Sequence, residues 1–123
     1  MAIEKYTIKV STTGSDASAT GSLVTALPLC ELLAVYANFH ASAPASTDTT
    51  ISSPADPVAV TLLTITNSAT DAWYYPPHQL DDASGSAITG AYIPAIVHGN
   101  LLVELAGCDA LTDALTLTAY VRT

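Results

Sequence analysis

Leu115-Thr116-Leu117-Thr118-Ala119-Tyr120-Val121-Arg122 sets the fold class. Successive side chains of a strand point to opposite faces, so period-two alternation sorts this stretch into two sides. Leu115, Leu117, Ala119 and Val121 fall inward; Thr116, Thr118, Tyr120 and Arg122 fall outward. That is a half-buried strand, and its Thr, Val and Tyr content suits a pleated surface. The other end of the chain repeats the pattern, with Tyr6, Ile8 and Val10 alternating with Lys5, Thr7 and Lys9. Residues 30–39 read as a central strand, with Leu33, Val35, Ala37 and Phe39 on one face. Leu32, Ala34, Tyr36 and Asn38 take the other, so both faces are largely apolar, which predicts burial on both sides or contact with a partner. Over 58–66, Val58, Val60 and Leu62 face one way and Leu63 and Ile65 the other.

Weaker segments fill the gaps. Residues 18–25 pass as an edge strand closed by Leu27-Pro28, and 49–51 as a very short strand. Residues 88–92 form another, ended by Pro94, and 96–105 a hairpin about His98-Gly99-Asn100. The breaks fall at 12–16, 40–48, Pro54-Ala55-Asp56-Pro57, 67–71, 81–85 and 107–113, the last with room for one helical turn. Roughly seven to nine short strands with turn signals every ~8–12 residues predict an all-β fold, an antiparallel β-sandwich that is jelly-roll-like. Residues 1–123 are expected to form a single domain, long enough to build a core without staples. That core is expected from Ile8, Val10, Leu33, Val35, Val60, Leu62, Leu101, Val103, Leu117 and Val121.

Half of the residues are hydrophobic and 11% are charged, a balance that excludes intrinsic disorder. Three basic residues against eleven acidic ones leave a net charge of −8, which argues against nucleic acid or an anionic membrane as a partner. No apolar run approaches the ~18–20 residues of a membrane helix. The N-terminus enters the strand pattern at once, without the basic start and apolar stretch of a secretion signal. The protein is therefore expected to act where it is made or to leave the cell as part of something larger. Cys30 and Cys108 are isolated and read as small buried side chains, with a disulfide as the lesser alternative.

Catalytic and metal-binding patterns are missing from the sequence. His40, His78 and His98 stand far apart, with no H-x-H or H-E-x-x-H, and no metal is expected. Asp81-Asp82-Ala83-Ser84-Gly85 has the flavour of a calcium loop but lacks the alternating carboxylates and distant Glu, so it reads as a solvated turn. There is no G-x-S-x-G elbow and no clustered glycine for a phosphate cradle. Glu31 and Glu104 are the only carboxylates worth weighing for acid–base work, and rim positions suit them better. No catalytic residue, metal ligand or cofactor is expected.

Trp73-Tyr74-Tyr75-Pro76-Pro77-His78 is the most unusual stretch. Consecutive strand residues alternate between faces, so Trp73 and Tyr75 share one side and Tyr74 takes the other. Facing inward, Trp73 anchors the core with Tyr74 at the rim, the arrangement with the greater weight. Facing outward, Trp73 and Tyr75 stack on a sugar or fill a pocket on a partner protein. Pro76-Pro77 stiffens the segment, prevents regular pairing beyond it and suggests a preorganised, protruding loop. Trp73, Tyr74, Tyr75 and His78 are the candidate partner-binding residues.

Five phrases taken together carry a resemblance: residues 5–10, 31–51, 66–79, 99–103 and 110–121. As a set, spanning nearly the whole chain, they resemble the small head-decoration or cement proteins of tailed bacteriophages. The resemblance implies a jelly-roll-like domain with no active site, acting as a structural virion protein. Its partners would be the major capsid protein and itself, as a homodimer or homotrimer, with no nucleic acid and no membrane. It would be made in the host cytoplasm, where both cysteines stay reduced, and reside on the capsid surface, cementing neighbouring subunits. The alternative is a carbohydrate-binding β-sandwich module using Trp73 and Tyr75. A small cupin-like enzyme is the third reading, and the spacing of the three histidines argues against it.

Overall fold

Pairing between distant alternating segments builds the molecule. The computed structural model describes residues 2–54 and 58–123, so the expected stop at Pro54–Pro57 lies outside the described residues beyond Pro54. Ten strands form among them: β1 (Ile3–Val10), β2 (Ala19–Ala26), β3 (Cys30–Phe39), β4 (Asp48–Ser53), β5 (Val60–Ile65), β6 (Ala72–Tyr74), β7 (Pro77–Asp81), β8 (Ala87–Val97), β9 (Asn100–Cys108) and β10 (Leu115–Arg122). β1 runs antiparallel to β10, β2 to β9, β3 to β8 and β4 to β5. The chain is thus a long two-stranded ribbon folded over on itself. The cross-pairs β10–β3 and β9–β4 turn that ribbon into two antiparallel sheets. One has the order β1-β10-β3-β8-β7, with β6 also paired to β3; the other has the order β2-β9-β4-β5. The result is the all-β sandwich that the alternation predicts.

The inner faces meet as a continuous apolar layer. Ile8, Val10, Val35, Leu62, Leu101, Val103, Leu117 and Val121 are buried there as expected, joined by Leu32, Ile51, Leu105 and Leu115. Burying such a side chain contributes ~1.5–3 kcal/mol. Leu33 and Val60 are corrections. In β3, Ala34 lies opposite Tyr120 and Leu32 opposite Val121, so Leu33 is an extra, bulged residue. Alternation restarts across the bulge, which puts Leu32 rather than Leu33 on the core side. A second bulge in β5 places Leu63 and Ile65 opposite Ile51 and Thr49. Val60, at the start of this edge strand, stays 38% exposed.

Four local expectations also change. Residues 96–105 do not form a hairpin: at His98-Gly99 the chain crosses from β8 in one sheet to β9 in the other, and the two strands do not pair. Pro94 does not end a strand: β8 runs through it, because Pro94 faces Pro77 where β8 leaves β7 for β3 and its missing N–H interrupts a ladder already changing partner. Pro76-Pro77 does not prevent pairing beyond it either, since Pro77 is the first residue of the edge strand β7, a position that tolerates proline. No helical turn forms over 107–113; Gly107 and Cys108 extend β9. The following turn is pinned from across the molecule by the buried Thr12, whose hydroxyl donates to the Asp109 carbonyl (2.5 Å) and accepts the Leu111 N–H (3.0 Å). Thr12→Val keeps the shape but leaves both backbone groups without that partner. It is expected to cost ~1–3 kcal/mol, read as a lower midpoint in thermal or denaturant unfolding.

Cys30 and Cys108 are both buried and unbridged, on strands of opposite sheets. Burial, aided by the Glu4 carboxylate, pushes the Cys30 thiol above its ordinary range, so it stays protonated and unreactive.

Candidate functional site: an aromatic face, a groove and a projecting arm

The Leu33 bulge marks the place where the six-stranded sheet splits. On one side of the bulge, Cys30 to Leu32 pair with β8; on the other, Val35 to Ala37 pair with β6. Between β6 and β8 the sheet opens into a groove of about 260 Å³, and the expelled Leu33 side chain lines it with Tyr75, Pro76, Pro77, Tyr92 and Pro94. Bulges commonly re-aim a side chain in this way. The Pro76 carbonyl accepts the Ala95 N–H (3.1 Å), which ties the β6–β7 connection to β8. Tyr75 is 70% exposed at the groove's rim.

Beside the groove lies an aromatic cluster on the outer face. β6 pairs with β3 so that Trp73 sits opposite Tyr36. The Trp73 ring lies 5.0 Å from that of Tyr36, tilted by 54°, and 5.7 Å from that of Tyr120, tilted by 36°. Trp73 is therefore not the core anchor that the inward arrangement would make it. It faces out, 50% exposed, while Tyr74 turns inward to pack against the core. The pairing sets this direction, since Tyr74 lies opposite the buried Val35 and Trp73 opposite the outward Tyr36. All three basic residues of this acidic chain, Lys5, Lys9 and Arg122, fall on the outward side of β1 and β10 in the same sheet. The Arg122 guanidinium pairs with the Glu31 carboxylate on neighbouring β3.

From the groove, β7 and the first half of β8 leave as a hairpin. β7 pairs with β8 alone, and every residue from Pro77 to Gly90 is exposed, including Leu80 and Ile88. The tip is the acidic turn. The Asp82 carboxylate accepts the N–H groups of Ser84 (2.8 Å) and Ser86 (3.0 Å), while Gly85 takes the positive φ of 81° that the turn needs. Asp82 is thus engaged by its own backbone. Three extra residues of β8 bulge between the Gln79–Tyr92 and Asp81–Ala87 pairs, with Gly90 at a φ of 81°. The Gln79 side-chain amide spans that bulge to the Ile88 carbonyl (3.2 Å).

Of the four candidate partner-binding residues, Trp73, Tyr75 and His78 are accessible along this face and arm, and Tyr74 is not. Sequence reasoning misses Leu33, Tyr92, Leu80 and Ile88. Alternation does place Tyr36 and Tyr120 outward, but their meeting with Trp73 depends on which strands pair. His40, His78 and His98 lie in three different places, and the His40 Nδ1 accepts the Ser42 N–H (3.0 Å). Glu31 and Glu104 lie on the outer faces of different sheets and do not converge. Among the described residues, no three of His, Cys, Asp and Glu gather where an ion could be held. A second depression, about 340 Å³, lies on the four-stranded sheet between Thr20, Ser22, Asp48, Thr50 and Glu104. One Asp48 oxygen there already accepts the Asn67 N–H (2.8 Å). No protein-family profile, curated protein or solved structure matches this chain.

Proposed function

We propose that this chain is a structural virion protein that docks on the outer surface of a bacteriophage capsid and cements neighbouring major capsid subunits. The observation that carries the reading is the β7–β8 arm. An isolated two-stranded hairpin is marginal in water, and this one displays Leu80 and Ile88 and rises from a groove rimmed by Tyr75 and Tyr92. Such an arm contributes little to the sandwich and fits a clamp that reaches across a joint between two subunits. We read the strand order β1-β10-β3-β8 over β2-β9-β4-β5 as that of a jelly roll, with β6 and β7 inserted ahead of β8. A jelly-roll-like domain is what the resemblance of the five sequence phrases implies. Each contact can be weak, because many identical copies on one shell, each tying several subunits together, add up through avidity.

The test is binding of the purified protein to empty capsids of its phage, with capsid rupture temperature as the readout. Decoration is expected to raise that temperature. Tyr75→Ala and Trp73→Ala are expected to lower capsid occupancy while leaving the domain folded, with a lower melting midpoint only for Trp73→Ala, which loses its ring contacts with Tyr36 and Tyr120. Wild-type occupancy for both variants would remove the aromatic face from the docking surface. A protein that binds no capsid and is never found in virions ends the cement reading. The carbohydrate-binding alternative is favoured by one observation, the half-exposed Trp73 flanked by Tyr36 and Tyr120. Glycan-array binding that disappears in Trp73→Ala would establish it instead.

A further inference from the structure

Charge is segregated in this molecule. The chain carries eleven carboxylates, yet all three of its cations fall on the outer face of the six-stranded sheet. Both carboxylates that adjoin this face are engaged: Glu31 pairs with Arg122, and Asp71 accepts the Phe39 N–H (2.8 Å). Glu4 takes the other side of β1, opposite the buried Val121, where it accepts the Tyr6 hydroxyl (2.7 Å). Among the described residues, Arg122–Glu31 is the only ion pair, which leaves Lys5 and Lys9 uncompensated. The four-stranded sheet shows Asp48 and Glu104 and no cation, and the arm shows Asp81 and Asp82.

The two lysines bracket the aromatic cluster. Lys5 lies opposite Tyr120 and Lys9 opposite Thr116. Thr7, midway between them, begins the row that continues through Thr118 and Tyr36 to Trp73. Four residues of extended strand set the lysines about 13 Å apart, with the Trp73 row between. Lysines also blunt the edge of a sheet, and β1 is an edge. That role accounts neither for Arg122, on the interior strand β10, nor for the lack of any cation on the other edges, β7, β2 and β5.

We propose that Lys5 and Lys9 determine specificity on the docking face, and that the capsid surface they meet is acidic, with Asp or Glu side chains of the major capsid protein on either side of an apolar contact for Trp73. The inference rests on the cement reading and adds the chemistry of the partner's surface. Charge complementarity selects that chemistry. A basic capsid surface would attract the four-stranded sheet and the arm tip alike, and would hold the chain in several orientations. An acidic surface repels those sides and meets uncompensated cations only here, so one orientation survives. The face is also continuous with the arm, since β6 leads from Trp73 directly to Tyr75 and the groove.

The test measures affinity for empty capsids of the phage at several salt concentrations. At about 0.05 M salt, Lys5→Gln/Lys9→Gln is expected to bind roughly tenfold more weakly than wild type. That gap is expected to close by about 0.5 M, where screening removes the attraction. The far-UV spectrum and melting midpoint stay those of the wild type. Lys5→Arg/Lys9→Arg is expected to bind as the wild type does. Thr61→Glu/Thr64→Glu, on the exposed side of β5, makes the chain as negative as the glutamine pair does and is expected to keep wild-type affinity. Equal affinity of the wild type and the glutamine pair overturns the inference and leaves the cement reading standing. An equal loss in Thr61→Glu/Thr64→Glu overturns it too, since net charge and not this face would then decide. A wild-type chain that binds no capsid ends both. Lysine-dependent binding to oligogalacturonate, with none to capsids, assigns the face to an acidic glycan and likewise overturns the proposal.

Discussion

Gly21→Ala is expected to destabilise the domain by more than ~3 kcal/mol, beyond the ordinary cost of overpacking. A Cβ at this position would lie 2.0 Å from the Ser11 carbonyl oxygen and 3.2 Å from the Thr12 Cα. Both are backbone atoms, so no side-chain rotation relieves the clash. Nor can the Ser11 segment withdraw, because it is held on both sides. Thr13 is bonded to Thr20, and the Thr12 hydroxyl is tied to the turn after β9. The change should therefore separate β1 from β2 where the two sheets close, and lower the melting midpoint by roughly 10 °C or more. Gly85→Ala is the matched control. Its Cβ meets nothing within 4 Å, and only the positive φ of 81° opposes it, so a loss near ~1 kcal/mol is expected. A Gly21 variant that melts with the Gly85 variant would contradict this account of the crossing.

Leu117→Ala is expected to cost ~2–5 kcal/mol in denaturant unfolding, from lost burial and from the cavity left behind. Leu117 is fully buried on β10, between Ile8 of β1 and Ala37 of β3. With small Ala37 on one side, the neighbours have little bulk with which to collapse into the space, which favours the upper half of that range. Leu33→Ala removes the same atoms from a groove wall and should cost far less. Equal losses at the two positions would mean that the β3 bulge is misplaced.

That pair of leucines also shows where the sequence is legible. β10 keeps strict alternation from end to end and β1 keeps it from Lys5 to Val10, so their inward residues can be assigned without a structure. In β3, one inserted residue reverses the pattern. Leu32 and Leu33 have the same hydropathy, so nothing local says which is bulged; the choice is made by Tyr120 and Val121 across the strand pair. The β5 bulge misleads in the same way, among Leu62, Leu63 and Ile65. The aromatic stretch was visible as an anomaly, but its direction was not. Trp73 faces out because the register sets it opposite the outward Tyr36 and sets Tyr74 opposite the buried Val35, a fact about pairing and not about the Trp-Tyr-Tyr segment. The arm was hidden by its prolines. Pro77 and Pro94 each argue for a strand end when read singly, yet they face one another and the hairpin passes through both.

The folded-over ribbon has a consequence for synthesis. Ile3 finds its partner in Arg122 and Val10 in Leu115, so β1 waits on the ribosome for β10. β2 waits for β9 and β3 for β8 in the same way; only β4 with β5 and β7 with β8 can pair soon after they emerge. Loop closure therefore precedes nearly every stabilising contact, and folding is expected in the ms–s range of non-local β proteins. Until β10 is released, Leu32, Val35 and Ile51 have no finished inner face to enter, and the nascent chain must stay soluble on its Thr, Ser and acidic residues. Acquisition of structure then awaits the emergence of β10, and chains truncated before residue 115 should be cleared by proteases as unfolded protein.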